Sequence, residues 1–184
     1  MEKSTFNGQV ETIKDWKIIR LPKEVSDPLS SRGMCMGLMS ALNTDWVVAL
    51  EPDGDMGHWF CVPDDLLRKM KTLSIPEEWL IEMQLIELAG GDWLDPVLPA
   101  DIGQAFDEAG LIPVWTHLTP KAKWAWVRWV RATANAATRV KRIETACSML
   151  SEGKKRPCCF DHSRSTEPHV SKSGVLLDPN DGVH

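Results

Sequence analysis

Tyrosine is absent from these 184 residues, whereas tryptophan occurs nine times, an unusual aromatic choice. Long apolar runs are also missing. No window reaches the roughly 18 uninterrupted apolar residues that a membrane span needs. The opening residues, MEKSTFNGQVETIKDW, lack the basic start and apolar core of a secretory signal. A cytoplasmic location is the resulting expectation. Cysteine is scarce and poorly spaced for bridging. Of five cysteines, Cys35, Cys61 and Cys147 lie in apolar segments, and Cys158 and Cys159 are adjacent. This is no spaced disulfide framework, so free thiols in a reducing compartment are expected. Catalytic signatures are missing as well. There is no Ser/His/Asp set, phosphate loop or dinucleotide fingerprint, and no internal repeat. Lys154-Lys155 follow a lone glycine, which does not make a Walker motif. No cofactor is expected.

What is present is a polarised chain. An apolar share of 43% suits a globular core, and the length fits one large domain or two small ones. The net charge of −5 is unevenly spread: residues 1–118 carry −11, residues 119–156 carry +8, and residues 157–184 carry −2. The basic part either docks internally on the acidic part or meets an external anionic ligand or protein partner. The acidic whole argues against tight nonspecific nucleic-acid binding.

The first half reads as β. Residues 6–13 and 16–21 are short runs separated by Lys14-Asp15, a tight-turn pair. Residues 33–39, 46–50 and 58–62 are further strand candidates, with Pro52-Asp53-Gly54 as a turn between the last two. Residues 23–29 read as a helical turn, 66–73 as a short helix capped by Asp64-Asp65, and 79–88 as a strand. Short strands at this spacing predict a small closed β-barrel over residues 1–95.

Asp95-Pro96 to Pro99 marks the boundary to a helical module, residues 96–156. Residues 100–109 form its first helix, and 111–118 a connection holding Trp115 and His117. The next segment is the most informative. Thr119 offers a hydroxyl cap, and Pro120 sits at the first helical position, where proline is tolerated. Asn135 caps a second helix in which Val140, Ile143, Cys147 and Leu150 recur at helical spacing, and Gly153 ends it. The result is a basic helical hairpin with three tryptophans in its first helix. Residues 157–184 read as a polar, loosely ordered tail, docked at most through Val175-Leu176-Leu177. The fold class is thus α+β: a small closed barrel followed by a C-terminal helical module.

The hairpin resembles the YdeI/OmpD-associated family, also called the bacteriocin-protection family. The residues that carry this are Leu118-Thr119-Pro120, Trp124, Trp129-Val130, Thr138-Arg139, Arg142-Ile143-Glu144, Leu150 and Gly153-Lys154-Lys155. Upstream, Leu21-Pro22-Lys23-Glu24-Val25, Ser31-Arg32-Gly33, Leu50-Glu51-Pro52-Asp53-Gly54 and His58-Trp59-Phe60 resemble the small barrel domain of unknown function that often precedes it. Arg156-Pro157-Cys158-Cys159-Phe160 and the later Val170-Ser171-Lys172 look like one subgroup. The resemblance implies a bacterial protein linked to resistance against antimicrobial peptides, and it supplies no catalytic residues.

The chemistry-bearing residues follow. Arg128, Arg139, Arg142 and Trp129 are the ligand-binding candidates, since basic faces with interleaved aromatics suit anions. Cys158 and Cys159 are the reactive-thiol candidates, because Lys154, Lys155 and Arg156 precede them and cations favour thiolate. Adjacent cysteines rarely share one ion, so Cys158, Cys159, His162 and His169 are not expected to hold a metal. The sequence therefore predicts a non-enzymatic binding or stress-protection protein, with a thiol-dependent enzyme or redox protein using Cys158 as the alternative.

Overall fold

A computed structural model describes residues 3–179. The last five residues of the expected tail lie outside it. Among the described residues the chain divides into two compact units. One, the sheet unit, comprises the residues up to 89 together with 162–165 and those from 170 onward. The other, the helical unit, comprises 90–161 and 166–169.

The sheet unit holds seven antiparallel strands: β1 (Lys3–Gly8), β2 (Glu11–Ile13), β3 (Trp16–Arg20), β4 (Cys35–Ala41), β5 (Thr44–Pro52), β6 (His58–Cys61) and β7 (Ile81–Glu87). Their order is β1-β7-β4-β5-β6-β3-β2. The sheet curls as a half-barrel and does not close, which corrects the expected closed barrel. The reason lies in residues 6–13, read from sequence as one run. The run breaks at Gln9-Val10. Its first part pairs with β7 and its second with β3, so one stretch of chain supplies both ends of the sheet. Among the described residues no ladder joins β1 to β2.

Local chemistry sets the turns. Ile13 faces Trp16 across Lys14-Asp15, with Lys14 at φ 53. Asp53 Oδ1 accepts from the amides of Asp55 (2.7 Å) and Gly57 (2.8 Å), the turn chemistry expected of it. Two short helices, α1 (Lys23–Ser26) and α2 (Asp64–Thr72), complete this part. Pro63 is the N-cap of α2, so Asp64 and Asp65 do not cap it. They lie in the first turn, where their charge complements the helix dipole. Ile18, Ile19, Met39, Leu50, Trp59, Phe60, Leu66 and Met83 form the interior.

The end of the chain returns to this unit. A two-stranded ribbon, β8 (Ser171–Lys172) and β9 (Val175–Leu176), follows Val170. Val170 and Leu176 are buried with Ile13, Ile18 and Trp59. The Leu176 amide donates to the Asp53 carbonyl at 2.7 Å, and the Leu177 amide to that of Val170 at 2.8 Å. The apolar triplet in the tail thus has a concrete place.

Inside the sheet unit lies one titratable group the sequence did not single out as buried. His58 is 1% exposed. Its Nε2 lies 3.0 Å from the Gly33 carbonyl, which only accepts, so Nε2 carries the proton. Nδ1 then accepts from the Ser26 hydroxyl at 2.7 Å. Burial lowers the His58 pKa from its ordinary 6.5. Below that value the unfolded chain binds a proton that folded His58 refuses. Stability is therefore full above pH 6.5 and falls as the pH drops through it, levelling once folded His58 itself protonates. Denaturant midpoints measured from neutral to mildly acidic pH should show this decline. His58→Gln should flatten it.

Candidate functional site

The helical unit contains α3 (Ala100–Glu108), α4 (Ile112–Thr116), α5 (Pro120–Arg131) and α6 (Ala136–Ser151). Their ends obey local rules. Thr119 Oγ1 accepts from the Ala122 amide, and Asn135 Oδ1 from that of Thr138 at 2.9 Å, as the sequence predicted for both caps. Gly153, at φ +81, stops α6. There the Lys154 amide donates to the Met149 carbonyl (2.9 Å) and the Gly153 amide to that of Leu150 (3.0 Å), a Schellman closure. Helix α4 was read from sequence as connection. Pro113 stands in its first turn, where its missing N–H costs nothing. The shared interior collects Ile102, Phe106, Trp115, Trp126, Val130, Ile143, Ala146 and Leu150. Val140, read as part of that stripe, is 55% exposed.

The predicted site residues do not form one exposed surface. Arg128 is 2% exposed, and its guanidinium lies 5.5 Å from the centre of the Phe160 ring. Arg139 makes a two-pronged bond to Asp101 on α3, at 2.6 and 2.9 Å. That bond holds the Asp101 carboxyl below its ordinary pKa. Arg142 and Trp129 do come together. Arg142 Nη1 donates to the Trp129 carbonyl at 2.6 Å, and its guanidinium sits 5.5 Å from the centre of that ring. The other face of this cluster is internal, since the Trp126 ring meets Trp129 edge-on at 6.0 Å. Because the Arg139–Asp101 pair is partly exposed, Arg139→Ala should cost only about 0.2–1 kcal/mol in a melting experiment.

Other cations of this unit are exposed, Lys121 and Lys141 among them. Lys154, Lys155 and Arg156 are all exposed just after α6. Lys154 and Lys155 border a hollow of about 430 Å³, lined otherwise by Pro113, Val114, His117, Leu118 and Gly153. Two hydrogen bonds fix residues of its lining. Trp126 Nε1 donates to the Lys155 carbonyl at 3.1 Å, and His117 Nδ1 to that of Pro113 at 2.7 Å. The Lys154-Lys155 pair was visible in the sequence. The apolar floor beside it was not, because it comes from α4.

Cys158 and Cys159 are free and exposed. Cys35 is buried, and burial pushes the Cys147 thiol up in pKa, which keeps it protonated. Among the described residues no group of three or more His, Cys, Asp or Glu side chains could hold a metal. The Ser26–His58 pair has the spacing of a nucleophile and its base. Both side chains are sealed inside the sheet unit, at 0% and 1% exposure, so the arrangement serves packing. No helix of the described residues is long and apolar enough to cross a membrane.

These features define a helical module with Arg128, Arg139 and Arg142 engaged within it and Lys154 and Lys155 exposed beside an apolar hollow. Residues 95–153 match the sequence model of a family described as bacteriocin-protection, YdeI or OmpD-associated. The match spans α3 to the glycine that ends α6. No curated protein matches the chain.

Proposed function

We propose that this is a bacterial YdeI-like protein that acts without catalysis, binding an anionic ligand through its helical unit as part of a stress-protection role in the cytoplasm. The observation that carries the reading is the exposed Lys154-Lys155-Arg156 run beside the hollow. Protection against antimicrobial peptides follows from the family's description alone. Arg128, Arg139, Arg142 and Trp129 are the other ligand-binding candidates; Arg142 and Trp129 meet, Arg128 is buried and Arg139 bonds Asp101. The partner is identified only by its charge.

Titration calorimetry with acetate, benzoate and octanoate tests this. Saturable binding of at least one anion, weakened by added salt and lost in Lys154→Glu with Lys155→Glu, supports the reading. The absence of any saturable anion binding overturns it. A second reading rests on the exposure of Cys158 beside the same cations: a thiol-dependent enzyme or redox protein. Fast thiol alkylation that slows in Lys154→Ala with Lys155→Ala would favour it.

A further inference from the structure

We infer that the hollow beside Lys154 and Lys155 is a site for a small organic monoanion with an apolar body, a carboxylate on an aliphatic chain. The inference rests on the anion-binding reading above and names its ligand class. Three observations carry it. The first is size: about 430 Å³ lies in the range of small-molecule sites, about 300–1,000 Å³. The second is lining. Pro113, Val114 and Leu118 give apolar walls, Lys154 and Lys155 give positive charge at one border, and no acidic residue lines the hollow. Val114 is 38% exposed, a large apolar side chain left uncovered beside two cations.

The third is preorganisation. Lysines after a helix end ordinarily complement the negative pole of that helix. Here their backbone is fixed more tightly than that role needs. The Schellman bonds hold Gly153 and Lys154, and the Trp126 indole holds Lys155. A wall fixed before binding loses little conformational freedom when the ligand arrives. Away from the lysine border the walls are apolar, so a charge carried there would have to shed water without a partner. One charge at the lysine border and a chain along Val114 and Leu118 fit both halves of the lining.

The test is a chain-length series of carboxylates, acetate to octanoate, with octylammonium as the cationic counterpart, followed by calorimetry and by NMR shifts of the Val114 and Leu118 methyls. Affinity should rise roughly fourfold for each methylene that enters the hollow. Octylammonium should bind at least tenfold more weakly than octanoate. In Lys154→Ala with Lys155→Ala that preference should vanish. Val114→Asp should abolish octanoate binding, because it puts a carboxylate on the apolar wall beside the lysines. If octanoate binds no tighter than acetate, or shifts neither methyl, the hollow is not the site, while the anion-binding reading stands. If no anion binds at all, both fall together. The chain-length series uses the unmutated protein, so a variant that fails to fold leaves the outcome decided.

Discussion

Replacing Trp126 with alanine is expected to cost about 3–5 kcal/mol, the range for deleting a fully buried aromatic side chain. Trp126 is 1% exposed at the centre of the helical unit's interior, among Phe106, Trp115, Val130 and Ile143. Its removal forfeits the transfer energy of a large ring and leaves a void that close-packed neighbours cannot fill. It also removes the edge-on contact to Trp129, worth about 0.5–1.5 kcal/mol. Denaturant titration followed by circular dichroism measures the loss. Trp126→Phe separates packing from hydrogen bonding. It keeps most of the ring and drops the indole N–H that holds the Lys155 carbonyl. That variant should lose only about 0.5–1.5 kcal/mol, and hydrogen exchange should quicken around residues 154–156. Equal losses in the two variants would place the energy in the hydrogen bond instead.

Gly54→Val should release the end of the chain from the sheet unit. Gly54 sits at φ +85, a left-handed conformation that costs a branched residue about 1–2 kcal/mol or more. A Cβ built there would lie 2.1 Å from the Gly174 carbonyl oxygen and 2.9 Å from the Val175 Cα. Both are backbone atoms, so no side-chain rotation relieves the clash. Either the turn after β5 or the β8–β9 ribbon must move. The ribbon, two residues to a strand, is expected to yield. It is held by the Leu176-to-Asp53 bond, by the Ser165 amide on the Gly174 carbonyl, by Arg164 on the Ser173 carbonyl and Arg20 on that of Leu177, and by Val170 and Leu176 packed near Trp59. Its departure exposes those two side chains, each worth about 1.5–3 kcal/mol when buried. Limited proteolysis should then cut at Lys172 in the variant well before it does so in the unmutated protein. Equal cleavage rates would mean that the turn yields instead.

The elements legible in the sequence are those set by neighbouring residues. The Thr119 and Asn135 caps, the Gly153 stop and the Asp53 turn each depend on a hydroxyl, carboxylate or missing side chain acting within a few positions. The open sheet was not legible. Whether β1 meets β2 depends on which distant edge each half of a broken run finds. The site was legible only in fragments. Lys154 and Lys155 stand out as charges, but α4, which gives Pro113 and Val114 to the hollow, reads in the sequence as connection. The arginines show a related limit. Charge and helical spacing describe Arg139, yet its partner Asp101 lies on another helix. Val140 shows how a stripe can shift by a position: Ile143, Ala146 and Leu150 face inward, and Val140 does not.

The return of the chain end to the sheet unit fixes an order of events during synthesis. Trp59 emerges from the ribosome early, but two of its apolar neighbours, Val170 and Leu176, emerge more than a hundred residues later. Every residue of the helical unit between Gly90 and Asp161 has been made before then. All seven strands precede Gly90, so the sheet can pair early, but Ile13, Ile18 and Trp59 stay incompletely covered while the helices are made. A chain stalled just after Asp161 would carry every strand of the sheet and every helix, with Ile13, Ile18 and Trp59 still lacking their cover.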